Sequence, residues 1–166
     1  MPLSIEEINH FTQEQFVETV GWVFEHSPWV AERAWHLRPF ALCAELSERM
    51  NGEVAAASAE EQLALLRAHP DLGTRAKISA SSASEQAGAG LDQLTTTEYD
   101  RLVSLNGVYR ERFGFPFLYA VKGADKFAIL EALARRLSSN RVDEFQEALR
   151  QVYRIARFRL ESIVME

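Results

Sequence analysis

The spacing of apolar residues constrains this chain more than any other feature of its sequence. Over long windows apolar residues recur three and four positions apart, whereas strict alternation over the length of a strand is nearly absent. Residues that typically cap helices precede several of these windows, such as Ser4 with Glu7 and Thr95 with Glu98. The pattern therefore predicts an all-α fold, a compact bundle of about seven to nine helices.

Turn residues divide this pattern into segments. Two helices are predicted to start at Ser4 and Thr12. Further helical segments are predicted over residues 29–37, 40–50, 58–68, 95–113, 125–137 and 142–164. Asn51-Gly52 is expected to end the second of these. Residues 71–94 are small and polar, which predicts a long loop around one short helix. We find no repeat or linker, so residues 1–166 are predicted to form a single domain.

Composition and charge exclude several classes of protein. A chain of 166 residues that is 47% hydrophobic is long enough to bury the core of one soluble domain. Its net charge of -6 supplies no basic field, so nucleic acid is not expected as a partner. The single cysteine, Cys43, cannot form an internal disulfide. No signal peptide and no apolar run of about 18 residues is found, so a cytoplasmic protein without a membrane partner is expected.

The last predicted helix carries an arginine on its apolar stripe. The stripe steps by three and four through Phe145, Leu149, Val152, Ala156, Arg159 and Ile163. A guanidinium does not lose its charge, so on a buried stripe it must find a carboxylate or an anionic ligand. Arg159 is therefore either structural, paired with an internal glutamate or reaching out to solvent, or a ligand-binding residue. Arg157 is predicted to lie on the opposite, solvated face.

His69 follows the predicted helix 58–68 and precedes Pro70. One interpretation is a favourable interaction of the imidazole with the helix dipole, worth about 0.3–1 kcal/mol. The other is a general acid or base, a role that suits an imidazole near neutral pH. The other three histidines have no partner at metal-ligand spacing, so no protein-bound metal is expected.

Ser82, Glu85 and Gln86 lie within the small-residue segment, ahead of Ala87-Gly88-Ala89-Gly90. The Ser-x-x-Glu spacing is that of a capping box, in which the two side chains bind the first free amides of a short helix. A functional interpretation is also open, because small residues allow a ligand to approach the backbone closely.

Three aromatic residues surround a glycine and a proline in Phe113-Gly114-Phe115-Pro116-Phe117. Anchoring in the core is the default interpretation. The segment must begin extended, because Pro116 disfavours helix at the residue before it. An extended segment without a partner strand leaves the amides and carbonyls of Phe117, Leu118 and Tyr119 free, and these can pair with a flat heterocyclic ligand.

Several of these motifs, taken together and in order, resemble a known family, the decarboxylases of 2-oxo-4-hydroxy-4-carboxy-5-ureidoimidazoline (OHCU). OHCU is the last intermediate between urate and allantoin. The resemblance covers nearly the whole chain. The motifs that carry it are His69-Pro70-Asp71-Leu72-Gly73, Ser82-x-x-Glu85-Gln86 with Gly88-Ala89-Gly90-Leu91, Leu105-Asn106 with Tyr109, Phe113-Gly114-Phe115-Pro116-Phe117, and Arg159-Leu160.

The resemblance implies an all-helical homodimer that uses no cofactor and releases carbon dioxide to form (S)-allantoin. It implies three catalytic residues: His69 as the acid, Glu85 as its carboxylate companion and Arg159 as the cation of the pocket. The residues implied to contact or line the substrate are Pro70, Ser82, Gln86, Phe117, Leu118 and Tyr119.

The chemistry itself needs no metal or organic cofactor, because the ring next to the reacting carbon can delocalise the electrons left by carbon dioxide. Proton delivery by His69 from one side yields a single enantiomer. Glu85 either orients the imidazole or binds the substrate hydroxyl. Arg159 binds a ring carbonyl, the ureido group or developing charge, rather than the departing carboxylate, whose binding would stabilise the ground state.

Two other functions are compatible with parts of the sequence. In a non-enzymatic helical interaction module, His69, Ser82 and Glu85 would be caps and Arg159 a structural ion-pair partner. Hydrolysis of the preceding intermediate, 5-hydroxyisourate, is less compatible, because activating water for that reaction usually needs several His or Arg side chains, and only His69 is suitably placed.

Overall fold

The computed structural model describes residues 2–74 and 78–165. These ranges contain nine α-helices and two 3-10 helices, Gly21–Val23 and Trp35–Leu37. The α-helices are α1 (Ile5–Asn9), α2 (Gln13–Val20), α3 (Trp29–Ala34), α4 (Cys43–Ala55), α5 (Ala59–Arg67), α6 (Ala80–Gly88), α7 (Thr96–Phe113), α8 (Lys126–Arg136) and α9 (Arg141–Glu161). The prediction of an all-α fold is confirmed.

Side-chain caps set the starts of several helices. The side chains of Ser4, Thr12, Ser58 and Thr95 each accept a hydrogen bond from the third amide of the helix that follows, and all four form capping boxes. At the other end of α7, Gly114 adopts a left-handed conformation with φ 83°, which glycine accepts without steric cost. The boundaries expected around Ser4, Ser58 and Thr95 are therefore confirmed.

Helix α4 runs further than its sequence predicts. Asn51 and Gly52 lie inside the helix, which continues to Ala55. The reason is the buried stripe of Leu46, Met50 and Val54, whose last member lies beyond the asparagine and glycine. Burial of Val54 offsets the poor helix propensity of this pair.

Two short strands were not predicted. Strand β1 (Leu3–Ser4) pairs in parallel with β2 (Val164–Met165), with Leu3 opposite Val164. The amide of Leu3 also donates to the carbonyl of Ile163 at 2.8 Å. Helix α9 therefore ends at Glu161 rather than at Val164, because the last residues pair with the start of the chain. Strands of two residues are too short to show an alternating pattern.

The structure divides into two compact units, Met1–Ala68 with Val152–Glu166, and His69–Gln151. In the first unit α3 packs on α2 and α4, and the rings of Phe16 and Phe40 stack with centroids 6.1 Å apart. In the second unit α7 packs on α8. A single domain over residues 1–166 stays a prediction. None of the described helices is both long and apolar enough to cross a membrane.

Candidate active site

His69 is the first residue of the second unit and is buried, with 6% of its surface exposed. In chain order it comes two residues after the end of α5, beyond the cap residue Ala68. It opens the His69 turn, which we define as residues 69–73. Pro70 and Asp71 are half-buried, and Asp71 forms an ion pair of 2.6 Å with Arg110. A buried imidazole in such a turn is suited to transferring a proton away from bulk water.

The peptide group between Leu72 and Gly73 is hydrogen-bonded on both edges by side-chain amides. Asn106 Nδ2, on α7, donates to the Leu72 carbonyl at 3.0 Å. The Gly73 amide donates to Gln86 Oε1, on α6, at 2.8 Å. Gly73 has φ +75°, and a Cβ at this position would collide with the side chain of Leu102. The backbone of the His69 turn is therefore tied to two helices.

Helix α6 shows that Ser82 and Glu85 do not form a capping box, so that interpretation is wrong. The helix starts one turn earlier than this interpretation requires, because Ser79 is the cap and its hydroxyl accepts from the Ser82 amide at 3.2 Å. Ser82, Glu85 and Gln86 therefore lie inside the helix and share one face. Ser82 and Gln86 are buried, and Glu85 is half-buried.

The short helix expected within residues 71–94 is thus confirmed as α6. Residues 75–77, which fall within the loop predicted over residues 71–94, lie outside the described part of the chain.

The segment formed by Phe117, Leu118 and Tyr119 is extended, but not all of its polar groups are free. The Leu118 carbonyl accepts a hydrogen bond of 2.5 Å from Arg136 Nη1. Within the described ranges, the three amides and the carbonyls of Phe117 and Tyr119 make no hydrogen bond. The expectation of a free backbone is therefore wrong for one carbonyl, because a buried guanidinium on α8 binds it.

Arg136 belongs to a buried polar cluster that sequence reasoning missed. Its guanidinium forms an ion pair of 2.6 Å with Glu144, and the Tyr109 hydroxyl donates to the same carboxylate. Burial raises the pKa of Tyr109 above its usual range, and its hydrogen bond to Glu144 adds to the shift. Arg136 follows Ile129 and Leu133 at helical spacing, so it lies on an apolar stripe of α8, just as Arg159 lies on an apolar stripe of α9.

Arg159 lies in the first unit and is 4% exposed, as its place on the apolar stripe predicts. Its Nη2 forms an ion pair of 2.9 Å with Glu25 Oε2, and its Nη1 approaches the Trp22 and Val23 carbonyls at 3.4 and 3.5 Å. Arg157, by contrast, is 37% exposed and pairs with Glu161. Sequence periodicity did not identify Glu25, because it lies in no helix.

The predicted site residues are thus divided between the two units. The second unit contains His69, Pro70, Ser82, Glu85, Gln86, Phe117, Leu118 and Tyr119, and the first contains Arg159. Among these, Gln86 is joined to the His69 turn by a hydrogen bond. Residues 2–74 and 78–165 contain no group of three or more His, Cys, Asp or Glu that could bind a metal ion.

The fold and these side chains show that the chain is an all-helical protein with buried acid–base and cationic groups. Comparison with known proteins then identifies the family. The model of the OHCU decarboxylase family matches residues 9–161, and the chain belongs to this family. The resemblance of its motifs is therefore confirmed.

Individual relatives agree with this assignment. A 2-oxo-4-hydroxy-4-carboxy-5-ureidoimidazoline decarboxylase of Haloferax volcanii is 47% identical over 158 residues, which cover 95% of this chain and 94% of that protein. The uric acid degradation bifunctional protein PucL of Bacillus subtilis is also 47% identical, over 98% of this chain, but the chain spans only 33% of that longer protein.

A solved structure shows the same fold. The crystal structure of (S)-allantoin synthase superposes with a TM-score of 0.83 at 33% identity. The match covers 99% of this chain and 54% of that one.

Proposed function

We propose that this chain decarboxylates OHCU to (S)-allantoin in urate degradation. The observation that carries the proposal is the family match over residues 9–161, supported by relatives named for this reaction and for its product. The buried imidazole of His69, in a turn that is hydrogen-bonded to two helices, supplies the proton donor that the reaction needs.

The reaction breaks the bond between a quaternary ring carbon and its carboxylate. Carbon dioxide leaves, and the electron pair of that bond passes into the adjoining ring amide or imine. His69 then donates its proton, from one side, to the neighbouring ring carbon that bears the ureido group, which fixes the configuration of the product. The carbon that lost carbon dioxide becomes the ring carbonyl as its hydroxyl gives up a proton and the ring nitrogen takes one up. Acid catalysis of this kind is typically worth about 10²–10⁴-fold in rate. No metal or organic cofactor takes part in the proposed reaction.

Glu85 and Arg159 complete the proposed catalytic set. Glu85, half-buried on α6, orients the His69 imidazole or the substrate hydroxyl. Arg159 binds a ring carbonyl or the ureido group through its planar guanidinium, and stabilises the charge that develops as carbon dioxide leaves. Its ion pair with Glu25 favours one orientation of the guanidinium.

The substrate-binding residues are proposed with roles that their observed contacts allow. The Gln86 carbonyl is occupied by the Gly73 amide, so its Nε2 is the atom offered to substrate. The Leu118 carbonyl is occupied by Arg136, so this segment offers the Leu118 amide and the free groups of Phe117 and Tyr119. Pro70 and Ser82 line the same proposed site.

The test is to mix the purified protein with freshly generated OHCU and to follow optical activity. Spontaneous decay protonates both faces and gives racemic allantoin, so a rapid appearance of the S enantiomer supports the proposal. A chain that leaves the rate and the racemic outcome unchanged would be a non-enzymatic interaction module instead. A parallel reaction with 5-hydroxyisourate tests the hydrolase alternative, and His69→Gln tests the proton donor.

A homodimer and a cytoplasmic location are further parts of this proposal. The dimer is implied by the family resemblance. Sedimentation equilibrium at several protein concentrations tests it, and a single species at the mass of one chain would contradict it.

A further inference from the structure

We propose that Asn106 is a positioning residue for His69. The inference rests on the proposed function, in which His69 delivers the proton. In this inference, Asn106 does not touch the substrate. It acts by fixing the backbone of the His69 turn, and so the direction from which the imidazole delivers its proton.

The first argument is the short, stiff path between the two residues. Asn106 Nδ2 donates to the Leu72 carbonyl, which is only three residues from His69. Pro70 lies on this path, and its ring removes one backbone rotation. A shift of the Leu72 carbonyl is therefore transmitted to His69 with few torsions available to absorb it.

The second argument is that the same peptide group is bound on its other edge. The Gly73 amide donates to Gln86 Oε1, so side-chain amides from α6 and α7 determine the plane of the Leu72–Gly73 peptide. Asn106 and Gln86 are 4% and 7% exposed, so water does not compete for either bond. Removing one amide leaves the peptide free to rotate about the remaining bond.

The third argument is that only the donor half of the Asn106 side-chain amide is used. Its Oδ1 is buried and has no hydrogen-bond partner in the part of the chain that the structure describes. Burying an unsatisfied carbonyl costs free energy, and an apolar side chain of similar size avoids that cost. The benefit of Asn106 therefore lies in its Nδ2 donor and in what that donor fixes.

The test compares Asn106→Leu with Arg110→Ala. Leucine has a similar size, lacks the donor and removes the unsatisfied oxygen. Arg110 lies one helical turn further along α7 and pairs with Asp71 in the same turn, but at the surface, so it is the matched control. We expect Asn106→Leu to melt close to the wild-type temperature, because loss of the unsatisfied Oδ1 offsets loss of the donor to the buried Leu72 carbonyl, while kcat falls about tenfold to a hundredfold and KM changes little. Arg110→Ala should keep kcat within about twofold, because an exposed ion pair contributes little.

Two further measurements separate positioning from a loss of folded protein. The first is the enantiomeric excess of the allantoin that Asn106→Leu forms. It should stay below the wild-type value even when enough enzyme is added to make spontaneous decay negligible. The NMR signal of the His69 ring should shift in Asn106→Leu, whereas those of His10, His26 and His36, which belong to the first unit, should not. This second measurement does not depend on activity.

Wild-type kcat, enantiomeric excess and His69 resonance in Asn106→Leu would overturn the inference. Asn106→Ala also lacks the donor and adds no bulk or buried polar atom, so it supplies the same comparison should the leucine variant fold poorly. Failure of the proposed function looks different. In that case either the wild-type protein does not speed the formation of (S)-allantoin, or His69→Gln retains wild-type turnover, whatever the Asn106 variants do.

Discussion

Replacing Arg159 with alanine removes the guanidinium from Glu25, a carboxylate with almost no access to water. The two side chains are each 3% exposed, and their charged atoms lie 2.9 Å apart. We predict that Arg159→Ala lowers both the free energy of unfolding and the turnover of OHCU. The stability loss follows from the ion pair, and the loss of turnover from the proposed contact with substrate.

The magnitude of the stability loss can be worked from this geometry. Two unit charges 2.9 Å apart attract by roughly 6 kcal/mol at an effective dielectric constant of about 20. Desolvation of both groups offsets part of this. Removing one partner of a buried pair typically costs about 3–5 kcal/mol, because the other charge stays buried. For a chain of this size, that lowers the melting temperature by about 6 to 20 °C.

Arg157→Ala is the matched control, because Arg157 is two residues away on the same helix and forms an exposed pair with Glu161. Such pairs contribute about 0–1 kcal/mol. Melting followed by circular dichroism compares the two variants. Equal losses from Arg157→Ala and Arg159→Ala would refute the argument from the apolar stripe.

A double variant, Glu25→Leu with Arg159→Met, separates the structural role of Arg159 from the catalytic one. It leaves no buried charge of this pair, and replacing a buried pair by apolar residues of similar volume is often neutral for stability. We therefore expect melting to recover while turnover stays low. Recovery of wild-type turnover would show that Arg159 only pairs with Glu25 and binds no substrate.

Three other predictions follow from the described contacts. Glu85→Gln should reduce turnover strongly and leave melting almost unchanged, because Glu85 lies inside α6, whose cap is Ser79, and glutamine keeps its shape while removing its charge. A large fall in melting with normal activity would contradict it. Dialysis against a strong chelator should leave activity intact. If chelation abolishes activity and one divalent ion restores it, this prediction is wrong. The pKa of Tyr109 is raised by burial and by its bond to Glu144, so the folded state keeps its proton more tightly than the unfolded state, whose tyrosines titrate near pH 10. The free energy of unfolding should therefore be steady below that pH and fall above it, by up to about 1.4 kcal/mol per pH unit for this group, and Tyr109→Phe should reduce that slope in alkaline denaturation.

The helices could be predicted because their signals are local. The apolar spacing and the caps at Ser4 and Thr95 involve residues within one or two turns, and both capping boxes are present. The errors occur where a distant contact decides the boundary. Helix α4 continues past Gly52 because Val54 is buried, and α9 stops before Val164 because that residue pairs with Leu3.

Periodicity can show that an arginine is buried, but it cannot show what the arginine binds. The stripe argument placed Arg159 inside the protein, and the same argument applies to Arg136. Their partners, Glu25 and Glu144, are 134 and 8 residues away in the chain. The sequence contains 24 acidic residues, and nothing in the spacing along a helix distinguishes these two. A buried cation on a stripe thus predicts that a carboxylate or a ligand must be present, because its charge must be compensated, while the identity of the partner depends on packing. For Arg159 both predicted alternatives apply under the proposed function, since a guanidinium carries five N–H donors and can bind a carboxylate and a second group at the same time.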